Sequence, residues 1–235
     1  MNRSRLTRLL HLLLALGVVI QLLLSLVMAP PEEGEEHEAA NWPAPLAALI
    51  PAAQAHEDED EHETAPADSL AAQLFEGHEV VGLGMLGVTL AFWAWIAVRR
   101  GEPGLGELIP WFSGRRLCAV REDFARHWDA LRQGRLPEYR PHSPLVTAIH
   151  GLGLLAVTGM ALSGFVWWLG EDVGTLEALG ETAEEVHEVL ANLVWAYLVG
   201  HAGMAYLHQM KGEPIVREMF SLGGGAESGR AERGK

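Results

Sequence analysis

The stretch VHEVLANLVWAYLVGHAGMAYLH, residues 186–208, is apolar enough to dissolve in lipid, yet it carries His187, His201 and His208. A titratable side chain in such a run is costly and marks a functional position. In an apolar place the useful form of histidine is the neutral imidazole, whose lone pair can bind a metal. Fourteen residues separate His187 from His201, and seven more lead to His208. At 3.6 residues per turn, these spacings put all three near one face of a helix. At 1.5 Å per residue, the first two lie roughly 21 Å apart along it. The pattern therefore suits two metal sites at two depths, each needing a second imidazole from another helix.

The elements that must supply those imidazoles are legible in the charge pattern. The chain has 235 residues, 49% of them hydrophobic, and the apolar residues are concentrated in four stretches nearly free of charge. They run approximately over 9–29, 79–98, 145–170 and 186–210. About 20 apolar residues span a bilayer as a helix. Lipid offers the backbone no hydrogen bonds, so spanning segments of this kind fold as helices. The expected fold class is all-α, an integral membrane four-helix bundle. Arg3, Arg5 and Arg8 precede the first stretch as they would in a signal peptide. That stretch is longer than a usual signal core, however, and Pro30 and Pro31 follow Ala29, so a retained helix is the expectation.

The basic residues set the orientation. Three precede the first stretch, nine lie from Arg99 to Arg140, and five follow the fourth: Lys211, Arg217, Arg230, Arg233 and Lys235. Segments 30–78 and 171–185 contain none. The positive-inside rule then makes both termini and the 99–142 loop cytoplasmic. The net charge of −14 comes mostly from outward segments such as EEGEEHE (32–38) and HEDEDEHE (56–63). Such composition buries no core, so the outer loop 30–77 is expected to be disordered and solvated. His37, His56 and His62 with their carboxylates also suit weak capture of a transition metal. Between those acidic runs, APLAALIPAA (44–53) suits the membrane surface. On the inner side, REDFARHWDALRQGR (121–135) reads as a short amphipathic helix with Phe124, Trp128 and Leu131 on one face. PWFSG (110–114) reads as a turn. The single cysteine, Cys118, excludes an intramolecular disulfide and a C-x-x-C-H haem attachment, and is expected to be inert in the inner loop.

With orientation assigned, depth follows. His78 opens the second stretch and His187 lies near the outer end of the fourth, both at the outer level. His11, near the inner end of the first stretch, matches His201. His150 adds an imidazole on the inner half of the third. Two bis-imidazole sites stacked in a membrane bundle suit two haems b, each with axial ligands from facing helices. Gly82, Gly84, Gly87, Gly151, Gly153, Gly200 and Gly203 would leave room for a flat macrocycle. Each feature has a plainer explanation: buried histidines pack by hydrogen bonding, and glycines let membrane helices approach. The depth-matched pairing favours ligation by His11, His78, His187 and His201. His150 is an alternative partner for His201. Otherwise it joins His208 in hydrogen-bonding a haem propionate or lining a quinone or proton site.

VHEVLANLVWAYLVGHAGMAYLHQMKGEPIVREMF (186–220) resembles the last transmembrane helix of the bacterial cytochrome b561 and nickel–iron hydrogenase b-type cytochrome family, with H-E, H at +14, H at +21 and a basic tail ending in R-x-M. RLTRLLHLLLALGVVIQ (5–21), HEVVGLG (78–84) and RPHSPLVTAIHGLGLLAVTGMALSG (140–164) are similar to its first three. The resemblance implies two haems b on His11, His78, His187 and His201. It departs from the family where Leu12 replaces a frequent Trp.

The expectation is a cytochrome b domain over 1–220 and a disordered cytoplasmic tail over 221–235. The protein would be multi-pass in the bacterial inner membrane, relaying electrons between a periplasmic partner and quinone or another acceptor of a respiratory chain. Expected partners are membrane lipid and quinone or a redox protein, such as a hydrogenase-like enzyme or a c-type cytochrome. Nucleic acid is not among them, and a homodimer is compatible. One alternative is a membrane protein that binds or transports metal, fed by the acidic outer loop. Another is a membrane anchor for a soluble enzyme.

Overall fold

A computed structural model describes residues 4–28, 70–138, 140, 142–173, 176–213 and 215–220. The acidic runs with His37, His56 and His62, the 44–53 stretch and the 221–235 tail lie outside them.

Among the described residues the only regular elements are helices, with no strand. The helices are α1 (Arg5–Leu24), α2 (Leu70–Val98), the single-turn α3 (Leu105–Leu108), α4 (Gly114–Arg132), α5 (Pro144–Asp172), α6 (Glu177–Met210) and α7 (Ile215–Phe220). Four of them, α1, α2, α5 and α6, are long and apolar enough to cross a membrane. Leu16, Leu23, Leu90, Leu162, Val189 and Leu193 on these helices are exposed. A helix that is apolar on its outer face as well as its packed face is suited to lipid rather than water.

The helix limits differ from the apolar stretches in a consistent way. α2 starts at Leu70 rather than 79, so residues 70–77 are helix and not outer loop. α6 starts at Glu177 rather than 186. In each extension, charged residues face out while small or apolar ones pack. Glu76 is exposed beside buried Ala72 and Phe75, and Glu181 and Glu185 are exposed beside buried Gly180 and Ala183. A charge count ends a spanning stretch at such residues, but backbone hydrogen bonding does not. α1 begins earlier, at Arg5, and stops at Leu24, where Ser25–Val27 form a turn and the Ser25 hydroxyl donates to the Leu22 carbonyl at 3.0 Å.

The chain divides into two compact units, one drawn from residues 14–91 and 152–201, the other from 1–13, 92–151 and 202–235. The first is packed by Leu14, Leu22, Ala72, Phe75, Met85, Leu154 and Val194. In it α5 and α6 touch backbone to backbone: a Cβ on Gly170 would sit 2.6 Å from the Gly180 Cα. Any side chain there would force the helices apart.

The second unit is held by polar ties. Buried Thr7 accepts the Trp95 indole N–H at 2.9 Å and donates to Glu102 at 3.1 Å. Glu102 also accepts the Ser4 amide at 2.9 Å and pairs with Arg99 at 3.4 Å. The start of α1 is thereby fixed to the end of α2. A second tie centres on Asp123, 1% exposed on α4. Its carboxylate accepts the Ser143 hydroxyl, the Leu145 amide at 3.1 Å and the Arg126 guanidinium at 2.8 Å. Ser143 precedes Pro144, the first residue of α5, so Asp123 lies against a helix N-terminus whose orphan N–H groups favour an anion. α4 itself starts seven residues before the expected amphipathic stretch. Phe124 and Trp128 stack at 6.3 Å on its exposed face, together with exposed Leu131. The expected turn at 110–114 contains a 3₁₀ helix, Pro110–Phe112. Cys118 is exposed on α4.

Burial alone would raise the Asp123 pKa; the Ser143 hydroxyl, Arg126, the Leu145 amide and His127 outweigh it and hold the group below the usual carboxylate range. A carboxyl depressed by folding stabilises the fold above its unfolded pKa of about 3.9 and loses that contribution as pH falls through the folded value. Asp123→Asn is expected to cost about 1–2 kcal/mol at neutral pH. In thermal melts of detergent-solubilised protein, the gap between wild type and variant should close as pH drops below about 4.

Candidate functional site

The 14–91 and 152–201 unit contains a cleft formed by α1, α2, α5 and α6, with about 840 Å³ of empty space when its open side is counted. Leu22, Phe75, Leu83, Val157, Met160, Phe165, Trp167, Trp168 and Val194 make it apolar; Gln21, Glu79, His78 and His187 are the polar groups on its wall. His78 comes from α2 and His187 from α6. Their ring centroids are 6.2 Å apart and the rings stand at 80° to each other. That separation is too wide for a hydrogen bond between ring nitrogens. It matches the gap filled by one metal atom bonded to a ring on either side, since metal–imidazole bonds are about 2 Å long.

A local contact decides which nitrogen His187 offers. Ser163 on α5 donates its hydroxyl hydrogen to the Met160 carbonyl at 3.1 Å. Its oxygen is then the acceptor for His187 Nδ1–H at 3.0 Å. Holding the proton on Nδ1 leaves the Nε2 lone pair available, which is how the outer partner of a metal-bound histidine sets its tautomer. Gly164 makes the approach possible: a Cβ there would come within 2.9 Å of His187 Cε1. Trp167 lies 6.1 Å from the His187 ring and is met edge-on by Phe75 at 6.0 Å. His78 Nδ1 is buried with no hydrogen-bond partner among the described residues.

The donor set fits a haem. Among the described residues, no group of three or more His, Cys, Asp or Glu is placed to hold a bare ion. His78 and His187 are the two side chains that would hold the iron of such a group, and the apolar walls suit a macrocycle. The cleft therefore asks for a flat, largely apolar group with a metal at its centre.

The remaining sequence candidates are distributed as follows. His201 belongs to the same unit as the cleft and stacks on Tyr197 at 5.3 Å, with ring planes 10° apart. His11, His150 and His208 belong to the other unit. His11 meets Phe220 edge-on at 5.8 Å. His150 donates Nδ1–H to the Val146 carbonyl at 2.6 Å. His208 is buried and its Nδ1 lies 2.6 Å from the Glu213 carboxylate. Gly82 faces the Gln21 amide, Gly151 the Leu108 backbone and Gly153 the Tyr197 ring, whereas a Cβ on Gly84, Gly87, Gly200 or Gly203 meets nothing within 4 Å. Sequence reasoning missed Ser163 and Gln21. Each is an uncharged polar residue in an apolar run, and that is their only signal.

The model of a family described as prokaryotic cytochrome b561 matches residues 2–222. No curated protein and no solved structure matches the chain. A b-type haem is the group that this family binds. Gly164→Val, which would push into His187, is expected to lower the haem bound per chain. Ser163→Ala is expected to weaken haem binding roughly 10–100-fold while leaving the helices intact. A pyridine haemochrome assay against protein concentration, with circular dichroism as the folding control, measures both.

Proposed function

The chain belongs to the prokaryotic cytochrome b561 family of membrane b-type cytochromes active in electron transfer, and we propose that it carries electrons across a bacterial inner membrane on two b-type haems. The observation that carries this reading is the pair of imidazoles, His78 and His187, facing each other at 6.2 Å in an apolar cleft. Those two residues hold one haem. His11 and His201 hold the other, with His150 the alternative partner of His201. Held between such histidines, a b-type haem would supply one-electron chemistry.

The chain's own residues do the rest. Ser163 keeps the proton of His187 on Nδ1, so that Nε2 stays a lone-pair donor. The apolar walls made by Phe75, Trp167 and Val194 keep the local dielectric low. α6 carries both His187 and His201 on one unbroken helix, which sets the two sites about 21 Å apart along its axis. That spacing carries charge across most of a hydrocarbon core about 30 Å thick. His150 and His208 hydrogen-bond a propionate or line a quinone or proton site. The distribution of Lys and Arg supports cytoplasmic termini, placing the His78–His187 site towards the periplasm. The four spanning helices and the segment to residue 220 form the cytochrome domain, with 221–235 as its tail. A periplasmic redox protein and the quinone pool of a respiratory chain are the partners that this placement serves, with lipid around the helices. Two copies assembling side by side would be compatible with it.

Purified protein is expected to give a b-type reduced-minus-oxidised spectrum and about two haems per chain. Alanine at His187 or at His201 should each remove roughly one of them. Background haem in a well-folded preparation would overturn the reading, and so would a full haem complement in both variants.

A further inference from the structure

α4 turns apolar side chains outward. Leu117, Phe124, Trp128 and Leu131 are all exposed, and Phe124 and Trp128 stack on each other at 6.3 Å. Just before the helix, Trp111 and Phe112 are exposed too, Phe112 at 93%. At about 100° of turn per residue, the four helix residues form one stripe about 60° wide. The charges around it are sorted by sign. Arg121 and Arg132 lie about 50° and 70° from its centre on one side, and Arg116 about 90° on the other. Glu122 and Asp129 lie about 150° and 130° away, on the far side with Arg115 and Arg126. All seven are exposed. The third acid of α4, Asp123, is turned about 110° from the stripe and buried against Ser143 and Leu145 at the start of α5. α5 is long and apolar enough to cross a membrane, so this tie pins α4 at the level where a spanning helix begins. α4 thus has a face for α5, a face of mixed charge for water, and an apolar face flanked only by arginine.

We propose that this third face is a binding surface for anionic phospholipid: the Leu117, Phe124, Trp128 and Leu131 stripe enters the acyl boundary of the bilayer, and Arg121 and Arg132 beside it hold lipid phosphate. Helices with aromatic and aliphatic residues on one side and basic residues at its edge lie in the plane of the membrane interface. Arginine keeps its apolar stem along such a surface while its guanidinium reaches the headgroups. There it donates paired N–H groups to a phosphate. The headgroup of phosphatidylcholine carries its own cation, whereas that of phosphatidylglycerol leaves the phosphate charge for the arginines. A second copy of this face would set arginine against arginine, so charge favours lipid as the occupant. The surface is independent of which histidines hold haem.

The test uses purified holoprotein in nanodiscs that mix phosphatidylcholine with phosphatidylglycerol. On a Cys118→Ser background, a nitroxide is attached at Phe124→Cys or at Asp129→Cys. Electron paramagnetic resonance then compares its collisions with oxygen, which dissolves in lipid, and with a water-soluble nickel chelate. The ratio of oxygen to nickel collisions is expected to be several-fold higher at 124 than at 129. Native mass spectrometry of protein released from the discs counts the phosphatidylglycerol that stays bound. Arg121→Gln and Arg132→Gln should each weaken its retention relative to phosphatidylcholine about fivefold, with haem content unchanged. Arg126 is left in place because it hydrogen-bonds Asp123. Equal collision ratios at 124 and 129 would overturn the lipid contact. A label at 124 shielded from both reagents would overturn it as well, because a second copy or another protein would then cover the face. Wild-type retention of phosphatidylglycerol in the double arginine variant would overturn the choice of an anionic lipid. Should Phe124→Cys fail to fold, the same label at Leu131→Cys reads the same stripe.

Discussion

The structure depends on the cost of an imidazole in an apolar interior. A neutral ring brings one N–H and one lone pair, and lipid or aliphatic side chains satisfy neither. At His187 the N–H is absorbed by Ser163, whose own hydrogen is already given to the Met160 carbonyl. The lone pair on the other nitrogen has then one useful destination, the cleft towards His78. The backbone around the cleft reflects this requirement. Gly164 yields its side chain to the His187 ring, and Gly170 and Gly180 let α5 and α6 close on each other below van der Waals reach of any Cβ. A ligand site in a helical bundle is set by such clearances as much as by its ligands, because a ring displaced by one methyl group no longer faces its partner.

A contrast in bonding separates the two units. The unit holding the cleft is packed by aliphatic and aromatic side chains, with a few hydrogen bonds spent on the His187 ring and the His78 backbone. The other unit adds, to an apolar core of Leu10, Phe92, Ile96 and Leu108, buried polar ties at Thr7, Glu102, Arg99 and Asp123. Spanning helices gain little from apolar contact with one another, since lipid is as apolar as leucine. Outside the hydrocarbon, buried ionic and hydroxyl groups can fix where helices begin and end, provided their hydrogen bonds are complete. Asp123 meets that condition, with donors from a hydroxyl, a guanidinium and a backbone amide.

How far the sequence could be read varies with the physical signal. Apolar length revealed four spanning helices, because lipid imposes a hard minimum on their extent. α2 and α6 each begin nine residues before the apolar stretch, because charge does not end a helix. Glu76, Glu181 and Glu185 stand exposed on helices that continue beneath them. The pairing of His78 with His187 followed from depth alone. Ser163, Gln21 and Asp123 were invisible, because a serine, a glutamine or an aspartate declares its role only through its partner. Those partners are distant in the chain: His187 for Ser163, the His78 backbone for Gln21, Ser143 and Leu145 for Asp123.

What the amino-acid order determined by itself was helix content, the number of spanning segments and the level of each histidine along its helix. These are set by local periodicity, by hydrophobic length and by 1.5 Å of rise per residue. What only the tertiary structure decided was rotation. Two histidines at one depth can face each other or face lipid, and nothing local distinguishes the cases. Side-chain clearance at Gly164 and the 3.0 Å bond from His187 to Ser163 set the His187 ring, and the grip of Gln21 holds the His78 backbone against α1. Each of those contacts joins different helices, so it exists only once the helices have packed.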